Sequence, residues 1–291
     1  MIGIGLPLID VLVTPRCFLK CPICYTPSGF GIEEADTYEM LKLVDNLAEL
    51  GVPIINLSGG EPLMREDLPV IVEHTSKNGT GVYLATTGYG LIGEKYESMK
   101  DYISWLGLSL DGSSPDVSRL LKGYPKQAEL ITSIMGHFTE NPPIHKTRIG
   151  TVVTSKNFHD VENIGKILTG NNGYVPEIWK LYQFCERGPR QVNPEEFELD
   201  DETFFSVANG IKNNFNEKIE VDINPRKRMN NSYLIVLPDL SLVVPEGKRY
   251  MNVGSFRGKN HNYMKEHIYK LSKDGILDLE KAPSNRAMDL Q

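Results

Sequence analysis

The sequence predicts an α/β fold in which helices cover a parallel sheet, and three observations carry that prediction. Short apolar runs rich in β-branched residues recur along the first 217 residues, each followed by a longer segment of helical period, so strand and helix alternate. Glycine, proline or polar clusters punctuate the changes of period. The length of 291 residues, with 40% hydrophobic and 24% charged residues, fits a globular chain that buries a sizeable core.

Taken in order, residues 8–14 are an apolar, β-branched run ending at Pro15 and predict a buried strand. Residues 36–50 place Met40, Leu41, Val44, Leu47 and Leu50 at helical spacing, with Gly51 as the stop. Strands follow at 52–58, 81–87, 103–109, 148–154 and 177–184. The helices between and after them are expected at 67–77, 91–100, a region through Lys122 and on to Phe138, 160–168 and 200–215. Six βα units with right-handed crossovers make either an open doubly wound sheet or a curved partial barrel, and periodicity allows both. Past residue 217 the rhythm stops. Short strands at 218–222, 233–237 and 241–244, the last two joined through Pro238 and Asp239, predict a small β-rich extension. We therefore expect a core of residues 1–217 and an extension of residues 218–291 that closes the open edge or mouth of a barrel. Residues 282–291 are polar and unpatterned.

Composition also excludes. No run approaches the ~18 apolar residues of a membrane span, and the apolar start lacks the charged flank of a secretory signal, its first basic residue being Arg16. A net charge of −7 argues against non-specific nucleic-acid binding. Four cysteines, three of them clustered, form no disulfide framework, so a reducing, cytoplasmic setting is expected.

Those three, Cys17, Cys21 and Cys24, stand as C-x3-C-x2-C in the loop after the first strand. Soft thiolates suit iron–sulfur clusters, zinc or Cu(I). A structural zinc and an ordinary ferredoxin cluster each take four protein ligands, so three leave one position open. A zinc knuckle completed by His145, His159 or Cys185 is one alternative; three unrelated buried cysteines are another.

The triplet resembles the radical S-adenosylmethionine (SAM) superfamily. The resemblance implies a (βα)6 partial barrel with a [4Fe–4S] cluster on Cys17, Cys21 and Cys24, whose fourth iron is chelated by the amino and carboxylate groups of SAM. Gly59-Gly60-Glu61-Pro62, at the end of the second strand, is similar to the family's GGEP motif, which receives the SAM amino group through backbone carbonyls and the glutamate. Two glycines at a strand end also let backbone approach a ligand closely. Ser109-Leu110-Asp111-Gly112 resembles the S-x-D-G element, making Ser109 and Asp111 candidates, with Arg119 and Lys122 as cations for the SAM carboxylate; solvated helix residues are the plainer reading of those two. Ile23 stands where relatives carry an aromatic residue. The family's chemistry implies reductive cleavage of SAM to a 5′-deoxyadenosyl radical, hydrogen abstraction from a substrate, and an external electron donor of flavodoxin or ferredoxin type. Cys185, ending the sixth strand, reads as a core residue, and one cluster is expected. A non-catalytic iron–sulfur or zinc module is the alternative of another class.

Substrate signals are fewer. Side chains alternate along a strand, so Lys180 and Tyr182 share a face, as do Arg148, Gly150 and Val152. If these faces point inward, two cations enter the barrel and suit a phosphate or carboxylate; if outward, they are helix-covered ion-pair partners. Residues 224–228 (NPRKR) add cations to the expected cap. Segments 55–62, 179–183 and 231–235 are similar to viperin-like enzymes, which dehydrate nucleoside triphosphates. That resemblance implies Asn56, Ser58, Arg148, Lys180 and Tyr233 near a nucleotide, although Gly150 replaces an asparagine of that group. A small anionic, nucleotide-like substrate is expected, with a peptide as the alternative. Peptide-modifying relatives often carry a separate recognition domain, for which the stretch before Cys17 leaves no room.

Overall fold

The structure is a computed structural model describing residues 5–27, 29, 31–170 and 173–281. The polar terminus 282–291 lies outside the described residues. Seven strands, β1 (Ile9–Thr14), β2 (Ile54–Gly59), β3 (Gly81–Thr86), β4 (Trp105–Ser109), β5 (Lys146–Val153), β6 (Ile178–Gln183) and β7 (Glu220–Asn224), lie side by side in chain order. All their pairings are parallel. Between them run α1 (Thr37–Glu49), α2 (Leu68–Lys77), the single turn α3 (Glu94–Glu97), α4 (Pro115–Lys122), α5 (Gln127–Glu140), α6 (Val161–Thr169) and α7 (Asp201–Phe215). Sequential order with helical crossovers gives a curved, unclosed parallel sheet.

Local chemistry sets the element ends. Asp36 caps α1 and exchanges hydrogen bonds with Glu39 in a capping box. The expected helix 91–100 shrinks to α3 and a 3-10 turn at Lys100–Tyr102. The long helical region breaks into α4 and α5, because Gly123 adopts a left-handed φ of 67° and Pro125 follows it.

The last strands join the opposite edge. β8 (Ile235–Val236) pairs parallel with β1, and β9 (Ser241–Glu246) and β10 (Arg249–Ser255) extend the sheet antiparallel. Strand β7, expected within the extension, instead pairs with β6, so the division expected at residue 217 falls between α7 and a strand of the parallel sheet. β10 and a final helix α8 (His261–Lys273) were not expected; α8 buries Met264, Ile268 and Leu271 at helical spacing.

The alternation along the strands resolves the inward-or-outward question. Val11, Leu57, Leu84, Leu106, Ile149, Trp179, Leu181 and Val221 enter the main core beneath the helices. The intervening positions, Asp10, Asn56, Tyr83, Arg148, Lys180 and Asp222, therefore occupy the concave face.

Candidate active site

Cys17, Cys21 and Cys24 lie in the loop that leaves β1, at the carboxyl ends of the strands. All three are partly accessible free thiols. The loop is clamped. Gly60 N–H donates to Thr14 O and Glu61 N–H to Arg16 O, both at 2.8 Å, while Val192 N–H donates to Pro22 O at 3.0 Å. Arg190 donates to Pro15 O at 2.7 Å and to Gly29 O at 3.1 Å, and Tyr250 Oη–H to Tyr25 O at 2.6 Å. Gly188 presses on Cys24: a Cβ there would sit 2.8 Å from the Cys24 carbonyl.

The two motif glycines have the same cause. A Cβ on Gly59 would stand 2.5 Å from Thr14 O, and one on Gly60 2.1 Å from Arg16 O. Their close approach is thus to the root of the cysteine loop, where the sequence suggested a ligand. The Glu61 carboxylate is buried and accepts four hydrogen bonds: from Leu63 N–H (3.1 Å), Thr86 Oγ1 (2.6 Å), Thr87 N–H (2.8 Å) and Thr87 Oγ1 (2.6 Å). Burial raises its pKa, and the threonine bonds oppose that shift. Glu61 therefore ties the end of β2 to the end of β3.

Around Cys21 the polar groups come from β4 and α4. Lys122 Nζ lies 2.6 Å from Asp111 Oδ2, both side chains largely buried. Asp111 also accepts from Val152 N–H at 2.6 Å. The Cys21 thiol faces Lys122 O at 3.6 Å; burial pushes its pKa up to about 11, against the pull of the Lys122 ammonium. Ser109 receives the Gln127 amide at 3.1 Å. Arg119 points away from this group: it is exposed and paired with Asp116 at 3.0 Å.

Of the alternatives for the triplet, His145 is buried against the Tyr96 hydroxyl at 2.7 Å, with burial lowering its pKa to about 4, so it belongs to the core. Cys185 does not sit in the apolar core; its thiol faces Gly247 O at 3.9 Å in a groove with Glu186, Arg226 and Lys248. No group of three His, Cys, Asp or Glu side chains among the described residues gathers as a single-ion site requires. Three partly accessible thiols on one clamped loop are the soft donors that an iron–sulfur cluster takes.

Further down the concave face a second polar group appears. Arg148 reaches the Tyr83 hydroxyl, with its guanidinium 4.5 Å from the Tyr83 ring, and lies 3.3 Å from the Tyr182 hydroxyl. Lys180 pairs with Asp222 at 3.1 Å and lies over the Tyr182 ring. Asn56 donates to Asp10, a residue that sequence reasoning passed over; burial raises the Asp10 pKa to about 6, while Asn56, Arg148 and Lys180 act to lower it. The Asn56 carbonyl oxygen is buried with no hydrogen-bond partner. Burial also raises the Tyr233 pKa, opposed first by Lys180, which places that phenol within the same electrostatic group. Ser58, buried on β2, has the same facing as Asn56 two residues earlier. Gly107 and Gly150 make room: a Cβ would meet Tyr83 Oη at 2.1 Å and the Tyr182 ring at 3.3 Å respectively. An asparagine at 150, as in viperin-like enzymes, would crowd Tyr182.

Residues 11–164 match the Radical SAM superfamily. Fe-coproporphyrin III synthase of Methanosarcina barkeri is 37% identical over 203 residues, which are 67% of this chain and 48% of that protein. PqqA peptide cyclase of Rhizobium meliloti is 31% identical over 150 residues, 48% of this chain and 40% of that one. The chain thus spans less than half the length of these curated relatives. Among solved structures, Streptococcus suis SuiB bound to the precursor peptide SuiA gives a TM-score of 0.68 at 14% identity, covering 81% of this chain and 58% of that one. The structure of anSMEcpe with bound AdoMet and the Kp18Cys peptide gives 0.65 at 16% identity, covering 92% and 81%. These likenesses establish the partial-barrel fold. The expected dehydration of nucleoside triphosphates finds no support in any of these relatives. Among the described residues no helix is long and apolar enough to cross a membrane.

Proposed function

Because this chain belongs to the radical SAM superfamily, whose members use a [4Fe–4S] cluster, SAM and an external reductant, we propose that it cleaves SAM reductively and directs the resulting radical at a substrate seated on the concave face of the sheet. In this reading Cys17, Cys21 and Cys24 hold the cluster. The backbone of residues 59–62, together with Ser109 and the Lys122–Asp111 pair, holds SAM. When bound, the cluster supplies the electron that breaks the sulfonium bond and yields the 5′-deoxyadenosyl radical. The chain's own part is to hold SAM beside the loop, orient the substrate below it, and keep water from the radical.

One observation carries the substrate reading: Arg148 on β5 and Lys180 on β6, both more than nine-tenths buried, stand on the concave face of the same sheet whose strands β1, β2 and β4 carry the cofactor residues at their ends. Buried cations select anionic partners. Asp10 and Asp222 offset much of that charge and Arg228, 3.8 Å from Asp222, adds one cation, so the small surplus suits a single carboxylate better than a polyphosphate. Two relatives, one named for a coproporphyrin and one for a peptide, make a carboxylate-bearing small molecule the first reading and an acidic peptide segment the second.

The test is anaerobic reconstitution followed by addition of dithionite and SAM. We expect release of 5′-deoxyadenosine, deuterium transfer into it from labelled carboxylate-bearing candidates, and loss of the cluster's visible absorbance on changing Cys17, Cys21 or Cys24 to alanine but not Cys185. Protein that takes up zinc in place of iron and leaves SAM intact would overturn the proposal. Stimulation by nucleoside triphosphates alone would overturn the carboxylate.

A further inference from the structure

The cysteine loop has two flanks, and they differ. One is covered by residues 187–192 and Tyr250, which bond to it through Arg190, Val192 and the Tyr250 hydroxyl. On the other, side chains are left open. Phe18, next to Cys17, is 39% exposed and its ring lies 4.5 Å from that of Tyr89, itself 51% exposed. The Tyr89 ring continues to Tyr124 at 6.2 Å. The turn carrying Tyr124 packs directly on the loop, since a Cβ on Gly123 would lie 3.6 Å from Lys20 O. Lys20 and Lys126 each follow a ring of this group by two residues, Phe18 and Tyr124 respectively; both are exposed, and no ion pair joins either to an acid among the described residues.

We propose that this rim of Phe18, Lys20, Tyr89, Tyr124 and Lys126 is the docking surface for the external reductant, a small acidic protein that carries one electron at a time. The inference rests on the radical SAM reading. Exposed aromatic rings in mutual contact are a feature of interfaces, and they lie in and against the loop that holds the thiols, where a carrier comes closest. Charge selects the partner. The chain bears −7 overall, and exposed lysines without an ion pair among the described residues stand on α7 and α8 as well (Lys212, Lys265, Lys270 and Lys273); at this rim two such lysines belong to segments in or against the loop that holds the thiols, so an acidic carrier attracted here is the one placed to deliver its electron. In the transfer the carrier is oxidised by one electron and the cluster reduced by one; no bond to the protein forms or breaks.

The test uses reconstituted enzyme and flavodoxin as the probe, with two readouts. Binding of oxidised flavodoxin is measured by titration calorimetry at low and high salt. Formation of 5′-deoxyadenosine is measured separately with flavodoxin plus its NADPH-dependent reductase, and with dithionite. For Lys20→Glu/Lys126→Glu we expect flavodoxin affinity to fall about tenfold and its salt dependence to flatten. Flavodoxin-driven turnover should fall in parallel, while dithionite-driven turnover stays within about twofold. Tyr89→Ser should weaken binding without altering salt dependence. Wild-type affinity and salt dependence in the double variant, with dithionite turnover intact, would overturn the docking surface alone. Failure of the unmodified enzyme to cleave SAM with dithionite would overturn the functional reading and this inference with it.

Discussion

The two faces of the sheet are built from the same strands, yet they differ in almost every side chain. The face under the helices presents Val11, Val13, Ile55, Leu57, Val82, Leu84, Leu106, Ile149, Trp179 and Leu181, all at or near zero exposure. One residue along, the concave face presents Asp10, Asn56, Tyr83, Arg148, Lys180, Tyr182 and Asp222. A parallel sheet covered on both faces reads as a near-continuous apolar run. The concave face keeps apolar residues of its own, with Leu8, Ile54, Trp105 and Ile178 clustered beside Tyr83, and departs from that run only where the polar group sits. The Tyr83 and Tyr182 phenols lie over Gly107 and Gly150, so even the small residues of this face serve the polar group.

Breaking the comparison is most direct on the helix side. Trp179→Ala removes a fully buried ring that packs on Phe215 and donates to Thr151 Oγ1 at 2.9 Å. We expect a loss of about 3–5 kcal/mol in urea unfolding. Tyr182→Phe, three residues on and inward, should cost under about 1 kcal/mol. Equal losses would mean that the concave face is core like the other.

A second comparison separates binding from folding. Lys180→Met keeps the length of the side chain and removes the charge, leaving Asp222 with Arg228 at 3.8 Å as its remaining cation. Substrate-dependent 5′-deoxyadenosine formation should fall by roughly tenfold or more, from the loss of a charged hydrogen-bond partner. The cluster spectrum should not change. Unaltered turnover would remove the concave face from substrate binding.

The smallest effect is one of pH. Asp10 has its pKa raised by burial from 3.8 to about 6. A raised acid stabilises the fold fully below the unfolded value, and that contribution is lost as pH rises through the folded one. Wild type should therefore lose stability between about pH 4 and pH 6. Asp10→Asn should flatten that fall and be the more stable protein near pH 7 by on the order of 1–2 kcal/mol, allowing for water reaching Asp10 from the mouth. Urea midpoints across this range decide it; parallel curves would show an Asp10 that is solvated when folded.

Periodicity, glycine and proline were enough to order six βα units and to put a three-cysteine loop at the end of the first strand, because those signals are local. Which way the strands face, and which strand pairs with which, depends on partners far along the chain. β7 carries no mark that it joins β6, nor β8 that it crosses to β1, and Cys185 ends an apolar strand yet lands in a polar groove. The amphipathic pattern of α8 was readable and was passed over. Glu61 shows the limit best. In the sequence it is part of a motif and a ligand for a cofactor; in the fold, Thr86 and Thr87 arrive from another strand and occupy both its oxygens. By itself the sequence determined the donor atoms and the order of the elements, since these follow from residue type and spacing, while the class of chemistry came from the likeness of its motifs to the radical SAM superfamily. Only the tertiary structure decided that Asp10 and Asn56 sit across the barrel from Arg148 and Lys180, because a charge acquires its role from whatever the fold brings within a few ångströms of it.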